Sequence, residues 1–135
     1  MTMKHAFLIM AHGSLPLLRV LLSMLDDERN DIFLHIDRKS DMLDGAEPLV
    51  LSKARLFVLE QRVDVRWGNL SQIKAEYVLF EEALKHGPYA YYHLLSGQDL
   101  PIKSQDYIHQ FFEEHQGKEF VGINHGEEFE WDCRR

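Results

Sequence analysis

Tyr91–Ile102 reads YYHLLSGQDLPI. It begins as an aromatic, hydrophobic strand from Tyr91 to Leu95 and breaks at Ser96-Gly97. Asp99 stands just past the break, Pro101 closes the loop, and Ser104 offers a cap for a new helix. In an open α/β sheet, ligands collect outside the carboxyl ends of the strands. A strand followed by Ser-Gly-x-Asp-x-Pro is therefore a candidate site for a small polar ligand, although such a turn also serves as a plain connection. The segments around it decide between the two.

Ala6–Met10 and Ile32–Ile36 are short apolar runs, bounded by His12-Gly13 and by Asp37-Arg38-Lys39-Ser40. That is the pattern of buried parallel strands. Between them Ser14 is an N-cap and Pro16 fits the first helical turn, where its missing N–H costs nothing. Leu17, Leu18, Leu21, Leu22 and Leu25 follow at helical spacing. Asp26–Asp31 reads as a charged turn, Asp41–Ser52 as irregular chain limited by Pro48, and Leu56–Leu59 as a third strand. Asn69 with Gln72 resembles a capping box. The long helix after it carries Ile73, Tyr77, Phe80 and Leu84 on one face, and Gly87-Pro88 stops it. Beyond the opening stretch, Ser104 caps a helix with Tyr107, Ile108, Phe111 and Phe112 inward. Gly117 ends that helix, and Phe120–Ile123 reads as a fifth short strand. This alternation predicts an α/β fold: a mainly parallel sheet, right-handed crossovers and helices on both faces.

The chain has 135 residues, enough for one domain with a real core, and a net charge of −7. An acidic protein is repelled by nucleic acid and by anionic membranes, so any anionic ligand must be met by a local cluster of cations. Cys133 is the single cysteine, which excludes an internal disulfide framework and a cysteine zinc site and fits a reducing compartment. No apolar run reaches transmembrane length.

Asp37 closes the second strand, where a carboxylate can accept from a ribose hydroxyl or a base N–H or can simply be solvated. Arg38 and Lys39 follow and can meet a pyrophosphate or remain solvated surface charges. Gly13 ends the first strand at the same edge and permits close backbone approach. Trp67 can stack on a base or sugar, or can staple the helix entry. The eight histidines are scattered, and there is no G-x-G-x-x-G, no Walker A motif and no D-x-D. No metal is expected. His35 and His93, inside strands, read as satisfied core imidazoles.

Three blocks together resemble the core-2/I-branching glycosyltransferase family, which includes branching β-1,6-N-acetylglucosaminyltransferases and peptide O-xylosyltransferases. They are AFLIMAHGSLPLLRVLLSML, IFLHIDRKSD and VRWGNLSQIKAEYVLFEEALKHGPYAYYHLLSGQDLPIKS. The second is similar to the family's H-[VI]-D-x-[KR]-S segment. The third is similar to its W-[GS]-x-x-S-x-[IV]-x-A helix and its S-G-x-D-[FLY]-P-[IL] turn. The resemblance spans Met3–Asn124. It implies a GT-A-like, Rossmann-like fold and inverting transfer of a sugar, N-acetylglucosamine or xylose, from a UDP-sugar to an acceptor hydroxyl without a divalent metal. It implies that Asp37 contacts the nucleotide, with Arg38 or Lys39 near the ribose or phosphates. It places Ser96, Gly97 and Asp99 on the donor-sugar side, with Gly13 and Trp67 in the same cleft.

Family members are far longer, and their catalytic base and diphosphate-binding cations lie downstream of anything in this chain. The expectation is a donor-binding domain over residues 1–124, with 125–135 opening a segment that continues in a longer parent protein. The catalytic residue is left unassigned, with Asp99 a minor candidate. The alternative is a nucleotide- or sugar-binding module without catalysis; a metal-dependent transferase is a third reading. The partners expected are the UDP-sugar, a glycan, lipid-linked or peptide acceptor, and a second copy docked through surface that a missing half leaves bare. The short loops have a bacterial look and fit a cytoplasmic enzyme peripheral to the membrane.

Overall fold

A computed structural model of the chain describes residues 3–122. Four strands form one all-parallel sheet: β1 (His5–Ala11), β2 (Asn30–Ile36), β3 (Arg55–Val58) and β4 (Tyr91–Ser96). Their order is β3-β2-β1-β4. Three helices join them: α1 (Leu15–Leu25), α2 (Ser71–His86) and α3 (Gln105–Glu114). The α/β fold read from the sequence is the fold observed.

The central strands β1 and β2 are buried almost throughout, as continuous apolar runs require. Their alternate side chains divide the core in two. Phe7, Ile9, Ile32, Leu34 and Ile36 pack under Leu18, Leu21, Leu22 and Leu25 of α1. Ala6, Leu8 and Phe33 pack under Leu79 and Ala83 of α2 on the other face. Ser14 caps α1 by accepting from the Leu17 N–H at 3.3 Å, and Ser104 caps α3 by accepting from the Tyr107 N–H at 3.2 Å. Residues 41–52 form turns without a helix, and Met42, Leu43, Leu49 and Leu51 close the α1 side of the core.

Several local expectations are corrected. The buried face of α2 is Ala75, Leu79 and Ala83, while Ile73, Tyr77 and Leu84 are exposed. Small alanines let the helix axis sit close to the sheet, so Ile73, Tyr77 and Leu84 turn outward, while Phe80 of the expected stripe does pack against the core beside Tyr92. The capping box does not form. Leu70 occupies the N-cap position without a side-chain bond, and the Asn69 side chain accepts from the Ser71 N–H at 3.0 Å. On α3, His109 is buried and Tyr107 exposed, because α3 docks beside the His5 ring rather than on an aliphatic surface. Phe120–Gly122 carry no strand, and Ile123 lies outside the described residues.

Asp31 does not belong to a charged turn. It is a fully buried residue of β2 that accepts from Lys4, Arg55 and Tyr89. Burial pushes its carboxyl up, but those donors outweigh it and hold it below the ordinary carboxylate range. Asp26 lies just past α1 and accepts from the N–H groups of Ser52, Lys53 and Ala54, which ties the irregular segment down before β3.

Candidate functional site

The chain runs from β1 to β2 to β3 in one direction across the sheet and then jumps back, so β4 lies on the far side of β1. This reversal is a topological switch point, and its crevice lies outside the carboxyl ends of the strands. The segments leaving β1, β2 and β4 all pass to the α1 face. The opposite face is left with α2 alone. A cleft of about 610 Å3 opens there, between the strand ends, the first turns of α2 and the loops after β2 and β3.

Asp37, Lys39, Trp67 and Ser96 line this cleft, with Met10, His12, Ser40, Val65, Gln72, Glu76, Leu94 and Leu95. Trp67 is 72% exposed, so its ring is available to a ligand and does not staple the helix entry. Gly13, Arg38, Gly97 and Asp99 are not in the lining. Gly97 has a packing role: a Cβ there would stand 2.8 Å from the Ala11 Cβ. At Gly13 a Cβ would meet only Gln98, at an ordinary 3.5 Å. Asp99 closes the turn by accepting from the Ser96 N–H at 2.7 Å, and its own N–H donates to the Ser96 carbonyl at 3.0 Å.

The walls around Asp37 are stitched together by backbone contacts. The buried His35 ring accepts from the Val63 N–H at 2.9 Å, and the Arg38 N–H donates to the Val63 carbonyl at 3.1 Å. Arg62 spends its guanidinium on the carbonyls of Ile36, Asp37 and Ser40. Burial holds His35 below its ordinary pKa, so its ring is neutral and able to accept. Asp37 is 6% exposed and accepts from the Lys39 N–H at 2.8 Å and from its ammonium at 3.1 Å. Burial raises the Asp37 carboxyl, and the Lys39 contacts more than reverse this, leaving it ionised. The Lys39 ammonium also donates to Asp64 at 2.6 Å and to the Val65 carbonyl.

Sequence reasoning missed Asp64, Gln72 and Glu76, and it marked the strand-end segments that hold His12 and Ser40 without singling those two residues out. Gln72 and Glu76 stand four residues apart on one helix, a spacing that puts them on a common face. Asp64 alternates with Arg62 and Arg66, a charge pattern that invited pairing but did not name its partners. Among the described residues, no group of three or more His, Cys, Asp or Glu is placed to hold a metal ion. None of the described helices is long and apolar enough to cross a membrane.

An open parallel sheet covered on both faces, with a cleft at its switch point, defines a GT-A-like α/β domain of the Rossmann type. The family model for the core-2/I-branching enzymes matches residues 5–135, and the chain belongs to that family of glycosyltransferases. No curated protein matches the chain. Family membership carries glycosyl transfer, with a donor and an acceptor, as the activity of the class.

Proposed function

We propose that this chain is the donor-binding part of an inverting, metal-independent glycosyltransferase that moves a sugar from a UDP-sugar to an acceptor hydroxyl. The observation that carries this reading is the switch-point cleft itself, with Asp37, Lys39, Trp67 and Ser96 converging on it. An ionised Asp37 suits a ribose hydroxyl or a uracil N–H, and the exposed Trp67 face suits a planar base or the apolar side of a sugar. Lys39 and Arg38 suit the phosphates. Ser96 and the Asp99-closed turn suit the donor sugar.

In an in-line displacement, the acceptor oxygen attacks the anomeric carbon while a carboxylate takes its proton. UDP leaves, stabilised by cations at the developing charge. The role of this half is to bind and orient. Asp99 is committed to its turn, which counts against it as the base. That commitment also favours a second reading, a nucleotide- or sugar-binding module without catalysis. Homodimerisation is supported by the outward stripe of Leu70, Ile73, Tyr77 and Leu84.

Calorimetry with UDP tests the donor site. Binding at micromolar to millimolar concentration is expected, weakened at least tenfold by Asp37→Asn. No heat and no rise in melting temperature at millimolar UDP would remove the assignment. UDP binding that is the same in EDTA separates the metal-independent reading from the metal-dependent one.

A further inference from the structure

At the rim of the cleft, three cations meet one carboxylate. Asp64 lies 2.6 Å from the Lys39 ammonium, 3.4 Å from the Arg66 guanidinium and 3.8 Å from that of Arg38. The Asp64 side chain is 21% exposed, whereas Lys39, Arg38 and Arg66 are 54%, 68% and 72% exposed. The anion is therefore inside and the cations face solvent around it. Lys39 holds the Asp64 carboxyl below its ordinary range, so it is ionised at neutral pH. The two segments involved cannot drift apart, because the His35–Val63, Arg38–Val63 and Arg62 contacts clamp them. Lys39 and Val65 line the cleft, and Arg38 and Arg66 are their chain neighbours.

Two donors, Lys39 and Arg66, with a third cation, Arg38, standing off at 3.8 Å, gather round one carboxylate much as arginine and lysine gather round a phosphoryl group. Counting Asp37, the cluster keeps one net positive charge on a chain whose total is −7. We propose that Asp64 is an internal stand-in for the donor's phosphoryl groups: it holds Arg38, Lys39 and Arg66 at the rim of the cleft and gives them up when a diphosphate arrives. The proposal rests on the donor-site reading above and adds an intrinsic competitor to it. Asp64 is a positioning residue here, acting only through the three cations. Its negative charge keeps the cations ordered but must be displaced, so it sets a ceiling on phosphate affinity and leaves nucleoside affinity alone.

The test measures the affinities of uridine, UDP and inorganic pyrophosphate by calorimetry for the full chain and for Asp64→Asn. The expected result is unchanged uridine affinity and roughly tenfold tighter UDP and pyrophosphate, the size of a single lost like-charge contact. The slope of log affinity for UDP against log salt should also steepen by about one ion. Asp64→Glu, which keeps the charge, should bind UDP as the parent does and guards against a folding artefact in the Asn variant. Weaker or unchanged UDP and pyrophosphate in Asp64→Asn, with uridine still bound, would overturn the proposal. Tighter pyrophosphate with no binding of uridine would keep the anion exchange and remove the uridine-donor reading. Failure of pyrophosphate and UDP to bind either protein would remove both.

Discussion

Single residues at the carboxyl edge of the sheet do unlike jobs that share one vocabulary of Gly, Ser and Asp. Gly97 is a packing residue, since any side chain there collides with Ala11 of β1. Gly97→Ala should therefore destabilise the chain by about 1–3 kcal/mol in urea denaturation, the usual range for overpacking. Gly13→Ala is the matched control and should stay within about 0.5 kcal/mol. A Gly97→Ala variant as stable as the parent would show that β4 can move away from β1 without loss. Asp31 is the opposite case, a carboxylate hidden in the core and held by three donors. Replacing it by Asn leaves Lys4, Arg55 and Tyr89 facing a neutral group, and a loss of about 2 kcal/mol is expected. The sequence marked Gly97 and Asp99 as notable but attached them to a ligand. A clash with a neighbouring strand and a hydrogen bond back to Ser96 depend on where those neighbours lie.

Among the elements, α2 carries the most information. Its periodicity was legible, and so were its stop at Gly87-Pro88 and its place before β4. Its inward face was not, because hydrophobicity favours the bulky stripe while the sheet demands close approach. Ala75 and Ala83 have 0% exposure, and Ala83 packs with Ala6 and Leu8 of β1 and Phe33 of β2. Ala83→Leu should force the helix off the sheet, with an expected loss of about 1–3 kcal/mol. Tyr77→Ala on the outward face should cost little in the monomer. If Tyr77→Ala is instead the more damaging of the two, the observed facing of α2 is wrong. The same facing turns Gln72 and Glu76 into the cleft, so the packing of α2 also sets the chemistry of the site.

At the scale of the whole molecule, the end of the sheet away from the cleft is held by a histidine cluster. His5 of β1 lies 3.0 Å from His93 of β4, and its ring centroid is 4.0 Å from that of His109 on α3. Phe7, Tyr91 and Phe112 pack around them, and Arg29, Asp27 and Asp106 lie alongside His109. Burial, then the neighbouring His109, push His5 down to about 3 and His93 down to about 4. Above pH 6.5 these rings are neutral in both the folded and unfolded states and stability does not depend on them. Below it the unfolded chain takes up protons that the fold refuses, so stability falls until the folded rings also protonate near pH 3–4. Asp26 and Asp27, lowered to about 2, add a further loss as pH drops below their ordinary value of 3.8. A melting-temperature scan should fall steadily from pH 6.5 to pH 4, and His93→Gln should flatten that slope. A parent curve flat over that interval would contradict the buried neutral cluster. Light scattering belongs to the same scale. A concentration-dependent dimer that Tyr77→Asp abolishes would support the outward stripe as an interface, and a monomer at high concentration would remove it.

The sequence by itself marked the four strands that form, together with a fifth over Phe120–Ile123 that does not appear among the described residues, the three helices, the Ser caps of α1 and α3, and the carboxyl edge at which a site would lie. Those features follow from local rules: apolar runs, helical periodicity, and Ser, Gly and Pro at breaks. It also singled out Asp37, Lys39, Trp67 and Ser96, which line the cleft, together with Gly13, Arg38, Gly97 and Asp99, which do not, because strand ends and the loop before a helix are positions that chain order alone identifies. Only the tertiary structure decided that β4 pairs with β1, that α2 stands alone over the open face, and that Tyr91–Ile102 supplies a wall through Leu94, Leu95 and Ser96 while the Asp99 carboxylate accepts from the Ser96 N–H. It alone brought Asp64 to three cations separated from it by up to 26 residues of chain. The reason is physical. Facing, close approach and charge convergence are set by distances between segments remote in sequence, and no local pattern encodes those distances.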